Sequence, residues 1–436
     1  MFVKTRSMLM LLTSVSVLFG CNSGNGKTAV PGTDQTGKPP EVKISSDPVK
    51  LSIAINVGWI GPDEFKKYFE DPVKKKYPNI SFEVYDQAQK DTTLDALIAA
   101  GTIPDIVMQS NNLPYRYTGR GLEYDIQPLI KKFNFDLSKL DPAALNSVKV
   151  SSDSTVLTGL PWTMHFSALY YNKDIFDKFG VAYPKDGMTW DDYQTLAIKL
   201  TRKEGDVQYR GMEPDQPKMS GYQLGLEGID TKTLKATFNN DGWKRIFTML
   251  KSFYDIPGND KIQGGINPFI KDRNIAMYPT NNVLPTLVAL PDFNWDIAQY
   301  PSFKDMPNIG MRSDAWILHI TQTSRHKDEA FAAISTILSE EVQADMAKNA
   351  RFPVLQFPAL KTVFGQNVPQ LKGKHLEAVF KSQASEPKLI TKFDGNAEDE
   401  MRKGIAAVVK GEKDINTALR DMEENLNRTI AADGTK

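Results

Sequence analysis

Cysteine is nearly absent from this sequence, because the 436 residues contain only one, Cys21. A chain with a single cysteine forms no internal disulfide, so its stability has to come from a hydrophobic core. An excess of charge is absent as well, since 53 basic residues balance 53 acidic residues. The sequence therefore gives no support for a nucleic-acid partner or for electrostatic binding to an anionic membrane.

Histidine is also scarce, and the four histidines show no spacing typical of a metal site. The sequence contains no nucleophile elbow, no metal-binding motif and no Gly-rich phosphate loop. These absences argue against catalysis, a metal, a cofactor and ATP hydrolysis by this chain. We therefore expect a binding protein without catalytic residues.

Long apolar runs are missing except near the N-terminus, where MLMLLTSVSVLF follows a basic start. This run is shorter than the ~20 residues of a membrane-spanning helix. It ends at LFGC, which resembles the lipobox of bacterial lipoproteins. The resemblance implies a lipoprotein signal peptide over 1–20 and lipidation of Cys21 with diacylglycerol and palmitate. The alternative is an ordinary secretory signal followed by a chance cysteine.

Residues 21–48 are rich in Gly, Ser, Thr, Pro and Lys and almost lack large apolar side chains. Such a composition predicts a flexible spacer between the lipid and a globular body. We expect an exported protein that is anchored by lipid alone to the outer face of a Gram-positive cell membrane. A tethered periplasmic protein is the alternative. The remaining ~390 residues are enough for two domains.

Strand and helix patterns alternate in the body, which predicts an α/β fold with sheets flanked by helices. VKLSIAIN, ISFEVYD and PDIVMQ read as strands, and Asp91 is placed to cap a short helix between the last two. Thr189 and Asp192 predict a capping box. Helical spacing runs over 326–348, and a closing pair of helices surrounds Gly411.

Several segments, in this order, resemble one family, the extracellular solute-binding proteins (family 1) of bacterial ABC importers, which includes the maltose-binding proteins. They span most of residues 51–350 and read AAGTIPDIVMQ, GRGLEYDIQPLI, GLPW followed by ALYYNKDIFDKFG, TWDDYQTLA, DRNIAM and DAWILHITQTSRHKDEAFAAISTIL.

The resemblance implies the two-lobed periplasmic-binding-protein fold, with a hinge that the chain crosses three times. The expected N-terminal lobe is 49–163 plus 302–349, and the expected C-terminal lobe is 164–301 plus 350–436. A carbohydrate, an oligosaccharide by this resemblance, would bind between the lobes of a monomer. The protein would then deliver it to the permease subunits of an ABC transporter whose ATPase is a separate subunit.

The first crossing is expected within GLPWTMHFSALYYNKDIF. Trp162 there offers a flat aromatic face for a pyranose ring. His165 takes the place of a sugar-contacting carboxylate of maltose-binding proteins, which argues against maltose as the ligand. Hinge packing is the alternative role for Trp162.

Four more ligand residues are expected in loops of the first lobe. Gln109, Asn111 and Asn112 follow the strand PDIVMQ at the carboxyl edge of the sheet, where ligands bind in open α/β folds. Their amides both donate and accept hydrogen bonds, which suits sugar hydroxyls. Trp59 follows the first strand at the same edge. Turn formation is the alternative role for the two asparagines.

Five further residues complete the expected ligand site. Val283 lies near the place where maltose-binding proteins bring a stacking tryptophan, and Asn281, Asn282 or Tyr278 would compensate for the missing aromatic ring. Asp314 is a candidate hydroxyl acceptor. Trp316 is as compatible with the core as with ligand contact. Arg351 follows the third crossing, where it would contact an acidic sugar or pair with a neighbouring carboxylate.

Other classes of function stay open at this level. Tyr170 and Tyr171 resemble the tyrosine pair of ferric-ion-binding proteins, although alternate residues of a strand face opposite sides. His165 could also bind zinc. A glycosidase would need two carboxyl groups about 5–10 Å apart, and the expected loops hold no such pair. A sensor or adhesin lipoprotein would act through a protein partner.

Overall fold

The computed structural model describes residues 42, 44–152, 156–262 and 264–433. The expected signal peptide, Cys21 and most of the expected spacer lie outside the described residues. Strands in the described ranges are β1 (Val49–Ile55), β2 (Ile80–Asp86), β3 (Ile106–Ser110), β4 (Gly159–Met164), β5 (Ser167–Asn172), β6 (Arg202–Glu204), β7 (Val207–Met212), β8 (Ile229–Asp230), β9 (Lys235–Ala236), β10 (Ile275–Asn281), β11 (Trp295–Gln299), β12 (Ile309–Arg312), β13 (Ala315–Ile320) and β14 (Gln383–Ser385).

Helices alternate with these strands, and in the described ranges none is long and apolar enough to cross a membrane. They are α1 (Pro62–Phe65), α2 (Asp71–Lys76), α3 (Leu94–Ala99), α4 (Gln127–Lys132), α5 (Pro142–Ser151), α6 (Lys173–Phe179), α7 (Trp190–Leu200), α8 (Pro217–Gln223), α9 (Asp241–Tyr254), α10 (Asn267–Ile270), α11 (Leu284–Val288), α12 (Lys327–Ile337), α13 (Glu340–Lys348), α14 (Pro358–Val363), α15 (Asp394–Val409) and α16 (Ile415–Asp433). A π-helical turn, Lys66–Glu70, joins α1 to α2.

The first sheet has the strand order β2-β1-β3-β13-β4. β1 pairs in parallel with β2 and β3, whereas β13 is antiparallel to β3 and β4. Leu51, Ile53 and Ile55 of β1 are buried, which confirms the alternation seen in the sequence. Gly159 lets β4 approach β13 closely, because a Cβ at this position would lie 2.5 Å from the carbonyl oxygen of Leu318.

The second sheet has the strand order β11-β5-β10-β7-β6. β5 is antiparallel to both of its neighbours, and β10 is parallel to β7. The chain passes from the first sheet to the second between β4 and β5 and returns between β11 and β13. Helices α15 and α16 pack on α8 and α9 beside the second sheet. The α/β fold with flanked sheets is therefore confirmed, while the lobe boundaries stay a prediction.

Two of the three local signals at helix ends are confirmed. Thr189 and Asp192 form the expected capping box at α7, and Gly411, with φ of 73°, follows α15 as expected. The cap expected at Asp91 was wrong, because Thr93 accepts the backbone N–H of Ala96.

The helical pattern over 326–348 forms two helices, α12 and α13, rather than one. Ser339 lies between them, and its hydroxyl accepts the backbone N–H of Val342 as the N-cap of α13. A serine hydroxyl favours such a helix start.

One histidine lies in the interior of the first sheet. His319 in β13 stacks on Tyr117 with ring centroids 4.2 Å apart, and its Nδ1 lies 3.2 Å from the carbonyl oxygen of Thr158. Burial disfavours the charged imidazolium and lowers the pKa of His319 from its ordinary value of 6.5 to about 4.

We predict that this histidine makes the fold sensitive to acid. Between pH 6.5 and about 4 the unfolded chain binds a proton that folded His319 does not. The free energy of unfolding should therefore fall by roughly 1.4 kcal/mol per pH unit as the pH decreases through this window. His319→Gln, followed by urea unfolding at several pH values, should show a shallower decrease. His326→Gln, the control at a partly exposed position, should keep the steep decrease, and equal slopes for both variants would contradict the assignment.

Candidate functional site

The two sheets meet at one edge each, and these two edges form what we call the cleft. In the first sheet the edge consists of the ends of β1, β3 and β4 and the start of β13, as the pairing directions require. In the second sheet it consists of the ends of β7, β10 and β11 and the start of β5. The edges are adjacent because only His165 and Phe166 separate β4 from β5.

An aromatic pair lies on the first-sheet edge of the cleft. Trp59 follows β1, and Trp316 lies in β13, and their ring centroids are 3.8 Å apart with an angle of 54° between the planes. Both side chains are only partly buried. The indole Nε1–H of Trp316 donates a hydrogen bond of 3.1 Å to Nε2 of His165. Three residues predicted separately from the sequence therefore form one cluster.

Asp314 connects several segments at the same edge. Its carboxylate accepts hydrogen bonds from the side-chain amides of Asn111 (3.1 Å) and Asn112, and from Nε of Arg312 at 2.9 Å. Its backbone carbonyl accepts the N–H of His165 at 2.8 Å. The asparagines are thus engaged with protein groups, and Asp314 has its charge paired with a buried guanidinium.

Arg312 extends this network toward the second sheet. Its guanidinium also donates to the side-chain oxygen of Asn112 and lies 3.8 Å above the ring of Tyr222 in α8. The buried hydroxyl of Tyr222 lies close to the same guanidinium. Tyr222 therefore connects α8 to the network.

The second-sheet edge carries two carboxylates that follow β7. Glu213 pairs with Arg210 at 2.7 Å, and its Oε1 accepts from the hydroxyl of Tyr254 at 3.1 Å. Burial raises the pKa of Asp215 to about 6, although hydrogen bonds from Thr280 and from the backbone of the next residue oppose the shift. A cavity of about 220 Å³, lined also by Tyr278, lies beside both carboxylates.

Glu213, Asp215, Arg312 and Tyr222 were not identified from the sequence. The available signal was MEPDQP, in which acidic residues directly follow the strand β7. That strand could have been recognised from VQYRGM, and the carboxyl ends of parallel strands meet at one edge.

Three other predicted residues lie on the cleft edges, and two of them make hydrogen bonds to backbone groups of the protein. Gln109 is 2% exposed, and its amide donates to the carbonyl of Leu113 at 3.1 Å. Asn281 ends β10 and is partly buried. The side-chain oxygen of Asn282 accepts the backbone N–H of Leu284 at 3.0 Å, so this asparagine forms a turn at the start of α11. Ligand contacts of all three stay predictions.

Trp162 lies in the core in this structure. It is 1% exposed and packs edge-on against Phe69 at 5.0 Å. Arg351 lies 5.2 Å above the Trp162 ring, pairs with Glu64 at 2.5 Å and donates to the carbonyl of Trp59 at 3.4 Å. Of the two roles expected for Arg351, the structure shows the pair with a neighbouring carboxylate. Through its bond to the carbonyl of Trp59, Arg351 also holds the loop that carries this tryptophan.

The two adjacent tyrosines do not converge on one site. The hydroxyl of Tyr170 accepts the backbone N–H of Val283 at 3.2 Å, whereas Tyr171 packs against Phe176 and Tyr183 on the other face of the sheet. Among the described residues, no three His, Cys, Asp or Glu side chains are grouped as metal ligands.

Comparison with known proteins places this arrangement in a family. A family model described as bacterial extracellular solute-binding protein matches residues 67–363. The match covers more than half of the chain, so the protein belongs to this family. A putative binding protein of Brucella abortus is 23% identical over 329 residues, which cover 70% of this chain and 75% of the relative.

Solved structures share the fold. An ABC substrate-binding protein from Listeria monocytogenes in complex with cycloalternan has a TM-score of 0.67 and 22% identity, over 88% of this chain and 99% of that one. A cyclic alpha-maltosyl-1,6-maltose binding protein from Arthrobacter globiformis has a TM-score of 0.69 and 17% identity over the same shares. The two-lobed architecture expected from the sequence is therefore confirmed.

We predict that Asp314 is required for stability as well as for the cleft. Asp314→Asn removes the charge that compensates Arg312, whose side chain is 1% exposed. An uncompensated buried charge costs about 3–5 kcal/mol in the free energy of unfolding. The matched control is Asp328→Asn, which breaks an exposed pair with Lys132 and should cost about 1 kcal/mol or less. Similar losses in urea unfolding of the two variants would contradict the role of Asp314.

Proposed function

We propose that this protein binds a carbohydrate, specifically an oligosaccharide, in the cleft and delivers it to an ABC transporter. The observation that carries the proposal is the partly exposed pair of Trp59 and Trp316 beside the carboxylate and amides of Asp314, Asn111 and Asn112. Such a surface matches the two sides of a sugar, an apolar ring face and a rim of hydroxyls.

The composition of the two edges supports a ligand with many hydroxyl groups. Hydroxyls both donate and accept hydrogen bonds, whereas the carboxylates of Asp215 and Glu213 accept them when ionised. A buried polar group that is left without its partner costs about 1–3 kcal/mol. Several such groups distinguish epimers, which stacking on a tryptophan alone does not do.

The comparisons support the same class of ligand. One structural relative is described in complex with cycloalternan, and another as a cyclic alpha-maltosyl-1,6-maltose binding protein. Their low identity to this chain leaves the sugar itself open. The aromatic pair and its hydrogen-bonded neighbours on the first-sheet edge are the features of this chain that favour a saccharide.

The remaining parts of the proposal concern transport and location. Closure of two lobes, 49–163 plus 302–349 and 164–301 plus 350–436, on the sugar would present a surface to the permease subunits. The protein acts as a monomer outside the cytoplasm. It is held at the outer face of a Gram-positive membrane by lipid on Cys21.

We predict saturable sugar binding that depends on the aromatic pair. A thermal-shift screen of the full chain against neutral and uronic-acid oligosaccharides should find a stabilising ligand, because 100 times Kd adds about 2.7 kcal/mol. Trp59→Ala and Trp316→Ala should each weaken binding about tenfold or more. Tyr183→Ala removes an aromatic ring near the opposite end of β5 and serves as the control.

The control variant should bind like the parent protein, and the sugar should be recovered unchanged after incubation. Equal affinities of the parent and both tryptophan variants would show that the ligand site lies elsewhere. Cleavage of the sugar would assign an enzymatic role to the carboxylates of the second-sheet edge. A shift with ferric ion or zinc, and with no sugar, would contradict the carbohydrate proposal.

A further inference from the structure

The hydrogen bond between Trp316 and His165 has a fixed direction. The indole Nε1–H only donates, so Nε2 of His165 accepts at 3.1 Å and carries no proton. The neutral imidazole therefore holds its proton on Nδ1. In the imidazolium both ring nitrogens carry protons, and the bond is lost because two N–H groups then face each other.

The backbone on both sides of this bond is fixed. The N–H of His165 donates to the carbonyl of Asp314 at 2.8 Å, and its own carbonyl accepts the hydroxyl of Ser313. Trp316 is paired with Thr163 and Ser110 across the first sheet. These backbone contacts do not involve the bond between Trp316 and His165, so loss of this bond affects the two side chains and leaves the strands in place.

The orientation of Trp316 determines the aromatic surface in the cleft. Its ring lies 3.8 Å from that of Trp59, and both rings are partly exposed. Trp59 is supported separately, since its carbonyl accepts from Arg351. His165 is therefore the one side chain in the described structure that holds the indole N–H of Trp316.

We propose that His165 is a positioning residue that keeps Trp316 against Trp59 while the imidazole is neutral, and that its protonation releases Trp316 and weakens ligand binding. This inference rests on the proposed function for the identity of the ligand. The affinity for the ligand would then depend on pH through His165, which lies where the chain first passes between the two sheets.

The charges near His165 set the direction of this dependence. Burial lowers the pKa of His165, the carboxylate of Asp314 raises it, and Arg351 lowers it. Asp314 is paired with Arg312, and Arg351 with Glu64. Since burial is the largest of these effects, His165 is neutral at pH 7. Binding should be intact there and should be lost as the pH falls below the ordinary histidine range.

The decisive measurement follows the indole proton of Trp316 without any ligand. The six tryptophans give six indole N–H resonances in a ¹H–¹⁵N spectrum of the full chain, and Trp316→Phe identifies one of them. In the parent protein this resonance should shift as the pH falls below the ordinary histidine range, because burial lowers the pKa of His165. In His165→Gln it should not, because the amide oxygen accepts the indole N–H without titrating.

The second measurement follows affinity for the sugar found in the screen. The parent protein should lose up to tenfold per pH unit once His165 is protonated. His165→Leu should bind weakly at every pH, and His165→Gln should restore part of that affinity and remove the pH dependence. Asp215→Asn removes the contribution of Asp215, a cleft carboxyl whose pKa burial raises to about 6.

Two results would overturn the inference. One is a Trp316 resonance that does not titrate, or that titrates alike in the parent protein and in His165→Gln. The other is parental affinity in His165→Leu. Failure of the proposed function is distinguishable from both, because then no sugar binds at any pH while the ligand-free titration still gives its answer.

Discussion

The carboxylate of Asp314 is the contact on which the cleft depends. It joins the loop after β3, through Asn111 and Asn112, to Arg312 at the end of β12. The same residue fixes His165 through its backbone carbonyl. A buried carboxylate requires a paired cation and hydrogen-bond donors, and this site supplies both. The bonds of Asp314 therefore hold three segments in place where the two sheets adjoin: the loop after β3, the end of β12 and the connection that carries His165.

The two edges of the cleft differ in what they offer a ligand. On the first-sheet edge most polar groups are already bonded to each other, and the exposed surface belongs to Trp59 and Trp316. On the second-sheet edge the carboxylates of Glu213 and Asp215 line a cavity of about 220 Å³. An aromatic surface on one edge and carboxylate acceptors on the other suit a ligand with a flat apolar face and donor hydroxyls. The first sheet thus provides the aromatic surface for stacking, and the second sheet provides hydrogen-bond acceptors.

Much of the first-sheet edge could be predicted from the sequence, because β1 alternates and β3 is a short apolar run. The carboxyl ends of these two strands carry the loops with Trp59 and Asn111. The second-sheet edge was not identified, although acidic residues directly follow VQYRGM, because β7 is only partly buried after its exposed first residue and its apolar pattern is weak. The groups that donate hydrogen bonds to Glu213 include the hydroxyl of Tyr254 and the backbone N–H of Gly264, which are more than 40 residues away in the sequence. No local pattern encodes contacts of that separation.

Trp162 shows why a strand pattern does not decide which side chain faces the cleft. In the pairing of β4 with β13, Thr163 lies opposite Trp316 while Pro161 lies opposite Ile317, so Trp162 is the extra residue of a bulge. A bulge changes the side of the sheet to which the next residues point. Trp162 therefore packs inward, beneath Arg351, which in turn holds the loop of Trp59. The tryptophan of the first crossing thus supports the aromatic surface from the core.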